Sequence, residues 1–418
     1  MTLSPFDAAS ILIVMAAVLG YINHRTLKLP ASVGLTFMGA IASLLVIAID
    51  HILPGAHLAP MVVNFLDTID FHTTLMNGML SFLLFAGAMH INWQEVKRGF
   101  WPILVLSTVG VIASTVIVGL GFYAIVLLAG LKIPMIWCFV FGALISPTDP
   151  VAVMAVMRHA AVPPTLQATV AGESLFNDGV GVVVFGIVLV AAIGGGDFSF
   201  GHASVEFLRE TGGGIVLGLA AGWLAYYAMH SIDDYNVEVM ITLAVVMGGY
   251  TLASFIHVSG PVAMAVAGLV VGNAAVHEVM SDQTRDYVLK FWSLIDEILN
   301  AVLFLLIGLE VIAISSDVRL LLVGVLAIPL VLLARWVSVA GPLVALRPIL
   351  SLGPLAMPTL VWGGLRGGIS VALALSLPGD DSRMIVLAGT YVVVLFAVLI
   401  QGGTIGGLMQ RWSKRAVD

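Results

Sequence analysis

Ser146-Pro147-Thr148-Asp149-Pro150 sits inside an apolar run that covers residues 134–157. Each proline removes an amide donor and clashes with the turn before it, so a helix through this run must break, leaving carbonyls free, that of Thr148 among them. Asp149 followed by Pro150 reads as an N-cap with proline at the first helical position, which restarts a second half-helix. A simple proline kink would not need a carboxylate between the two prolines. Open backbone deep in an apolar layer is tolerated only where protein or a water-lined cavity satisfies it, and free carbonyls there are good ligands for a hard cation.

The rest of the chain makes that layer a membrane. Of 418 residues 60% are hydrophobic and 10% charged, with a mean hydropathy of +1.10, where a soluble domain carries about a quarter charged residues. The formal charge of -7 is spread out, with no basic stretch to follow a nucleic-acid backbone, so a nucleic-acid partner is excluded and the lipid bilayer is the expected partner. The one cysteine, Cys138, lies in an apolar run with no His or Cys at metal-ligand spacing and reads as buried filler. Met1 to Asp7 lacks the basic start and cleavage site of a secretory signal, so the first apolar run is expected to remain as a helix.

Thirteen apolar stretches, numbered 1 to 13, fall at roughly 8–23, 32–49, 73–91, 100–129, 134–157, 164–193, 204–230, 236–256, 260–274, 287–312, 318–346, 354–378 and 384–410. About 20 residues are needed to cross a hydrocarbon core of about 30 Å, so the expected fold is an all-α polytopic membrane protein of about thirteen helices. An odd number puts the termini on opposite sides. Loops after stretches 1, 3, 5, 9 and 11 and the tail hold Arg25, Lys28, Lys97, Arg98, Arg158, Arg285, Lys290, Arg347, Arg411, Lys414 and Arg415, eleven in all, against Lys132, Arg209, Arg319 and Arg383 on the other side. The positive-inside rule then places the carboxyl terminus in the cytoplasm and the amino terminus outside. No soluble regulatory domain is read in the chain.

Ionisable side chains inside these stretches cost at least about 2.5 to 3.5 kcal/mol each and so need a partner or a task. Stretch 6 carries Gly172-Glu173-Ser174-Leu175-Phe176-Asn177-Asp178-Gly179 halfway along. Residues four apart share a helix face, so Ser174 lies under Asp178 and Glu173 under Asn177, the two pairs about 100° apart. The Ser174/Asp178 face, with the carbonyls of stretch 5, would make an all-oxygen site for a monovalent cation. The Glu173/Asn177 face reads as structural. Arg335 in stretch 11 is too deep to snorkel and needs a carboxylate, for which Glu173 is the candidate. In stretch 12, Trp362-Gly363-Gly364-Leu365-Arg366-Gly367-Gly368 surrounds an arginine with four glycines, each weakening the helix by about 1 kcal/mol, and a second break is expected. Asp296 and Glu297 of stretch 10 read as interfacial, as do the histidines at stretch ends, such as His51, His72, His90, His202 and His257.

Stretches 5 and 12 are each fifth in a run of six. Matched interruptions point to an inverted-repeat transporter with its site where the broken helices meet. The expected organisation is a single transporter domain over 1–418, with repeat one at about 8–193, a linker helix at 204–230 and repeat two at about 236–410.

With these residues in hand the chain resembles the monovalent cation/proton antiporters, specifically the NhaP-like bacterial sodium/proton exchangers. Ser146-Pro147-Thr148-Asp149-Pro150-Val151-Ala152-Val153, Gly172-Glu173-Ser174 through Asn177-Asp178, Ala334-Arg335 and Gly364-Leu365-Arg366-Gly367 match in order and spacing. The resemblance implies a homodimer in a cell inner membrane, a core of crossed broken helices 5 and 12, and no cofactor beyond the transported sodium and protons. It implies sodium at Asp178, Ser174 and Thr148, with Asn177 bracing the site, Glu173 paired with Arg335, and Asp149 and Arg366 balancing the half-helix ends. The chain departs from some relatives on helix 3, where Leu84-Phe85-Ala86-Gly87-Ala88-Met89 offers no acid.

The expected mechanism is exchange, not catalysis: desolvation disfavours a bare Asp178 carboxylate, which holds either a proton or a cation, and with asparagine at 177 the simplest cycle is one for one. Potassium/proton exchange on the same fold is the alternative. A channel, or an intramembrane hydrolase using Asp149 and Asp178 as an acid pair, would be different classes.

Overall fold

A computed structural model describes residues 5–53, 58–69, 78–157, 162–194, 199–313, 317–346, 352–353, 355–379 and 381–417. Arg158, Arg347, His72 and the first residues of stretch 3 lie outside them. Among the described residues the secondary structure is helical, apart from an isolated antiparallel bridge between Asp149 and Leu365. Among the described residues eight helices are long and apolar enough to cross a membrane, and Leu80–Met89, Met135–Ile145 and Gly260–Val276 are shorter apolar helices. Large apolar side chains such as Phe6, Val14, Val190, Leu224, Phe255 and Val344 stand exposed on the outer helix faces, as a hydrocarbon solvent requires.

Helix ends follow local chemistry. The Pro164–Ile193 helix starts at the Pro163-Pro164 pair, where a missing amide costs nothing, and stops before Gly194. Asp234 starts Tyr235–Phe255 by accepting from the amides of Asn236 at 2.9 Å and Val237 at 3.4 Å. Asp282–Leu309 starts five residues earlier than the apolar pattern of stretch 10, because Ser281 caps it ahead of the first apolar residue.

Two of the described helices are absent from the apolar pattern. Leu58–Ile69 has Asn64, Asp67 and Thr68 interleaved with its apolar residues, which hides it from a search for continuous hydrophobicity. Trp93–Arg98 is a single polar turn held by Asn92, whose side chain accepts from the amide of Gln94 at 2.8 Å.

Small residues let the helices approach to backbone contact, as packing in lipid demands. A Cβ at Gly308 would collide with the Thr36 carbonyl, and one at Gly142 with the Thr115 carbonyl. Cross-helix hydroxyl bonds add to the first contact: Thr36 Oγ1 donates to Phe304 O at 2.9 Å and Ser43 Oγ to Leu309 O at 2.7 Å. Trp292 is buried against Phe85, with ring centroids 4.7 Å apart, and donates its indole N–H to Thr242 Oγ1 at 3.0 Å. Gly308→Leu is therefore expected to lower the thermal unfolding midpoint in detergent sharply, by an overpacking cost of about 1–3 kcal/mol or more. Gly20→Ala, with nothing within 4 Å of the added carbon, is expected to leave it unchanged.

Candidate ion-binding site

Stretch 5 is two half-helices, Met135–Ile145 and Val151–Met157. Ser146 Oγ turns back onto Gly142 O at 2.6 Å, and the chain is non-helical through Pro147 and Thr148. Asp149 caps the second half: its Oδ1 accepts from the Val151 amide at 2.8 Å, with Pro150 between them. Stretch 12 is likewise divided, into Ala356–Trp362 and Gly368–Leu375. The two breaks pair with each other, since the Asp149 amide donates to Leu365 O at 2.9 Å.

Two of the four glycines are explained by that approach. A Cβ at Gly367 would collide with the Asp149 carboxylate, and one at Gly364 with the Arg335 guanidinium. Arg366 is buried and donates from Nη1 to Gly364 O at 3.1 Å, just past the end of the Ala356–Trp362 half-helix, where a cation suits the terminal carbonyls. Its Nε has no partner among the described residues. Asp149 and Arg366 thus stand at opposite kinds of helix end and do not bond to each other directly.

The uninterrupted Pro164–Ile193 helix brings two polar faces to these breaks. On one, Asn177 Nδ2 donates to Thr148 Oγ1 at 2.8 Å and to Glu173 Oε1 at 3.0 Å, and its Oδ1 accepts from the Thr148 amide at 3.2 Å. Glu173, 1% exposed, takes both arms of Arg335, 6% exposed, at 2.7 and 2.8 Å. The third guanidinium nitrogen, Nε, donates to Leu360 O at 3.0 Å. One continuous chain of bonds therefore ties break 5 to stretch 6, to stretch 11, and to the first half of stretch 12.

On the other face, Ser174 Oγ lies 3.2 Å from Thr148 Oγ1. Asp178, one turn above Ser174, is 8% exposed and has no hydrogen bond or ion pair with any described residue. A buried carboxylate with no cation paired to it among the described residues, one helical turn from a serine whose hydroxyl meets that of Thr148, is the chemistry of a site that takes a proton or a hard cation. Leu84, Phe85, Ala86, Ala88 and Met89 of the helix 3 region are buried apolar residues.

Two features escaped the sequence reading. Gln401, buried in a π turn (Ala397–Gly402), donates from Nε2 to Trp362 O at 3.0 Å and so closes the carbonyl end of the first half-helix of stretch 12. Beside it a cavity of about 10 Å³, room for one water, is lined by Arg335, Arg366, Gly364 and Gln401. A lone glutamine in Val398-Leu399-Ile400-Gln401-Gly402 is the signal that could have found it. Glu238, in the first turn of stretch 8, is buried with neither carboxylate oxygen bonded to a described residue. It stands two residues into stretch 8, close to Asp233 and Asp234, where the apolar pattern does not single it out.

Residues 13–411 match the family model "Sodium/hydrogen exchanger, transmembrane". The chain belongs to the sodium/hydrogen exchanger family. It is 42% identical to the Na(+)/H(+) antiporter NhaP of Pseudomonas aeruginosa over 97% of this chain and 96% of that protein. It is 33% identical to the Na(+)/H(+) antiporter NhaH of Halobacillus dabanensis over 82% of this chain and 83% of that one. The structure of the sodium proton antiporter MjNhaP1 from Methanocaldococcus jannaschii at pH 8 superposes with a TM-score of 0.75 over 98% of both chains at 20% identity, so the two share a fold. The all-α polytopic architecture is accordingly that of an exchanger.

Removing one partner of a buried ion pair strands the other, so Glu173→Ala is expected to cost about 3–5 kcal/mol of stability. The double variant Glu173→Leu/Arg335→Met is expected to recover most of that loss, as read by thermal unfolding of both proteins in detergent.

Proposed function

We propose that this exchanger is a sodium/proton antiporter in which one sodium ion and one proton compete for Asp178. The observation that carries the reading is the contrast between the two acids of stretch 6: Glu173 is neutralised by a bidentate arginine, whereas Asp178 is buried with no hydrogen bond or ion pair to a described residue, one turn from Ser174, whose hydroxyl meets that of Thr148 at 3.2 Å. The relatives' names support sodium as the cation, since NhaP and NhaH are both called Na(+)/H(+) antiporters.

An empty, charged Asp178 is costly in a water-poor site, so the carboxylate crosses between the two sides either protonated or bound to sodium. Sodium takes its ligands from Asp178, Ser174 and Thr148. Asn177 holds Thr148 in place and carries no charge of its own, which leaves a single titrating acid and an electroneutral exchange of one for one. Glu173 and Arg335 keep the scaffold rigid; Asp149 and Arg366 complement the half-helix ends where the breaks meet. Alternating access moves the breaks between the two sides of the bilayer, in a single domain made of inverted repeats at about 8–193 and 236–410 joined by the helix at 204–230. In this reading the thirteen stretches each cross a cell inner membrane, with the amino terminus outside, the carboxyl terminus in the cytoplasm and two copies paired as a homodimer.

In liposomes with an imposed pH gradient, sodium or lithium is expected to release protons through the wild type, while Asp178→Asn gives no release; equal signals from the two proteins would remove Asp178 from the mechanism. Ser174→Ala is expected to raise the half-saturating sodium concentration about tenfold, the effect of losing one polar ligand worth about 1–2 kcal/mol. Competition for one site further requires the half-saturating sodium concentration to rise as pH falls, approaching about tenfold per pH unit where Asp178 is protonated. A half-saturation independent of pH would separate the proton site from the sodium site. Transport rates unchanged by an imposed membrane potential are expected from the one-for-one cycle.

A further inference from the structure

The turn between stretches 1 and 2 is built around one side chain. Asn23 is buried; its Nδ2 donates to Leu29 O at 3.0 Å and its Oδ1 accepts from the Leu29 amide at 3.3 Å. Gly34 makes the room, because a Cβ there would collide with the Asn23 carboxamide. Inside this clamp the chain passes through a π turn, Asn23–Leu27, to Lys28, which is held left-handed at φ 54° and ψ 30° with its amide on Asn23 O at 2.7 Å. Glycine adopts that backbone more readily than lysine does.

The clamp walls a cavity of about 530 Å³. Lys28 gives it charge, Lys28 and His24 give it donors, Ala31 opens the 22-residue helix Ala31–Ile52, and Gly20, Leu29 and Leu35 supply apolar lining. Neither Lys28 nor His24 has a side-chain hydrogen bond or ion pair with a described residue. The first turn of Ala31–Ile52 contains no acid, and its leading amides have no partner within the helix. The acids of the two flanking helices, Asp7 and Asp50, stand at their far ends. Among the described residues that line it, the cavity carries a cation and no acid. Running away from it along the first helix, Val14, Val18, Tyr21 and Ile22 are exposed, an apolar track that starts where the charge ends.

We propose that this cavity binds the phosphate headgroup of an anionic phospholipid, with Lys28 and His24 as donors and the acyl chains lying along the exposed face of the first helix. A soluble phosphate shares the headgroup chemistry but would leave the apolar track unused. The assignment rests on the chain's place in a bilayer and does not depend on the ion site.

The test follows the thermal unfolding midpoint of the detergent-purified full chain while phosphatidylglycerol, phosphatidylcholine or inorganic phosphate is added. Phosphatidylglycerol is expected to raise the midpoint at concentrations where the other two do not. Lys28→Gly, which suits the left-handed backbone, is expected to raise the half-saturating phosphatidylglycerol concentration about fivefold, the loss of one cationic contact with an anionic headgroup. Adding His24→Gln weakens it further, and Lys28→Asn, which also tolerates this backbone, repeats the test with a second side chain. Lys97→Gln, an exposed lysine on another turn, is expected to leave the response unchanged, and sodium-driven proton release by the Lys28 variants reports that the fold is kept. No response to phosphatidylglycerol, an equal response in the Lys28 variants, an equal loss in Lys97→Gln, or the same shift from inorganic phosphate alone would each overturn the proposal.

Discussion

The structure depends on the buried ion pair between Glu173 and Arg335. Two ions taken out of water cost several kcal/mol each, and only tight geometry with further hydrogen bonds offsets that cost. Here the guanidinium uses both arms on the carboxylate and its remaining nitrogen on Leu360 O, while Glu173 also accepts from Asn177. Because Asn177 in turn holds both the amide and the hydroxyl of Thr148, the pair fixes where the open backbone of stretch 5 lies. Neutralising one acid of the Pro164–Ile193 helix this completely leaves the next acid, Asp178, as the one on this helix without a hydrogen bond or ion pair to a described residue.

Backbone-to-backbone packing is the second constraint. Breaks in two helices can pair as Asp149 does with Leu365 only if nothing larger than hydrogen projects from Gly364 and Gly367, which face Arg335 and Asp149. Glycine here weakens the helix and makes room for the charged groups at the same positions. Gln401 completes the arrangement from the side of the last stretch, where a π turn directs its amide at the Trp362 carbonyl. Freed carbonyls in an apolar layer need such partners as much as buried charges do.

The breaks are legible in the sequence because Pro147 and Pro150 remove helix amides at mid-stretch with a carboxylate between them, and because four glycines weaken the helix around Arg366. The faces of stretch 6 are legible from helical spacing alone, since Glu173 and Asn177, four apart, must share one side. Boundaries are legible where proline or a capping side chain marks them, as at Pro163-Pro164. Leu58–Ile69 is not, because its polar residues hide it from a search for continuous apolarity, and Gln401 is not, because a single amide in an apolar run declares a partner only once the fold brings Trp362 to it. Glu238 is hidden by its neighbours: at the start of stretch 8 and close to Asp233 and Asp234, it looks like one more acid at a helix end, yet it is buried.

The contrast between a paired and an unpaired acid on one helix is tested most directly by counting protons released when sodium binds to the purified protein in weakly buffered detergent solution. The account predicts about one proton released per sodium bound in the wild type and none in Asp178→Asn, with Glu173 and Arg335 intact in both. Undiminished proton release from Asp178→Asn would contradict it, because the proton displaced by sodium would then come from another group.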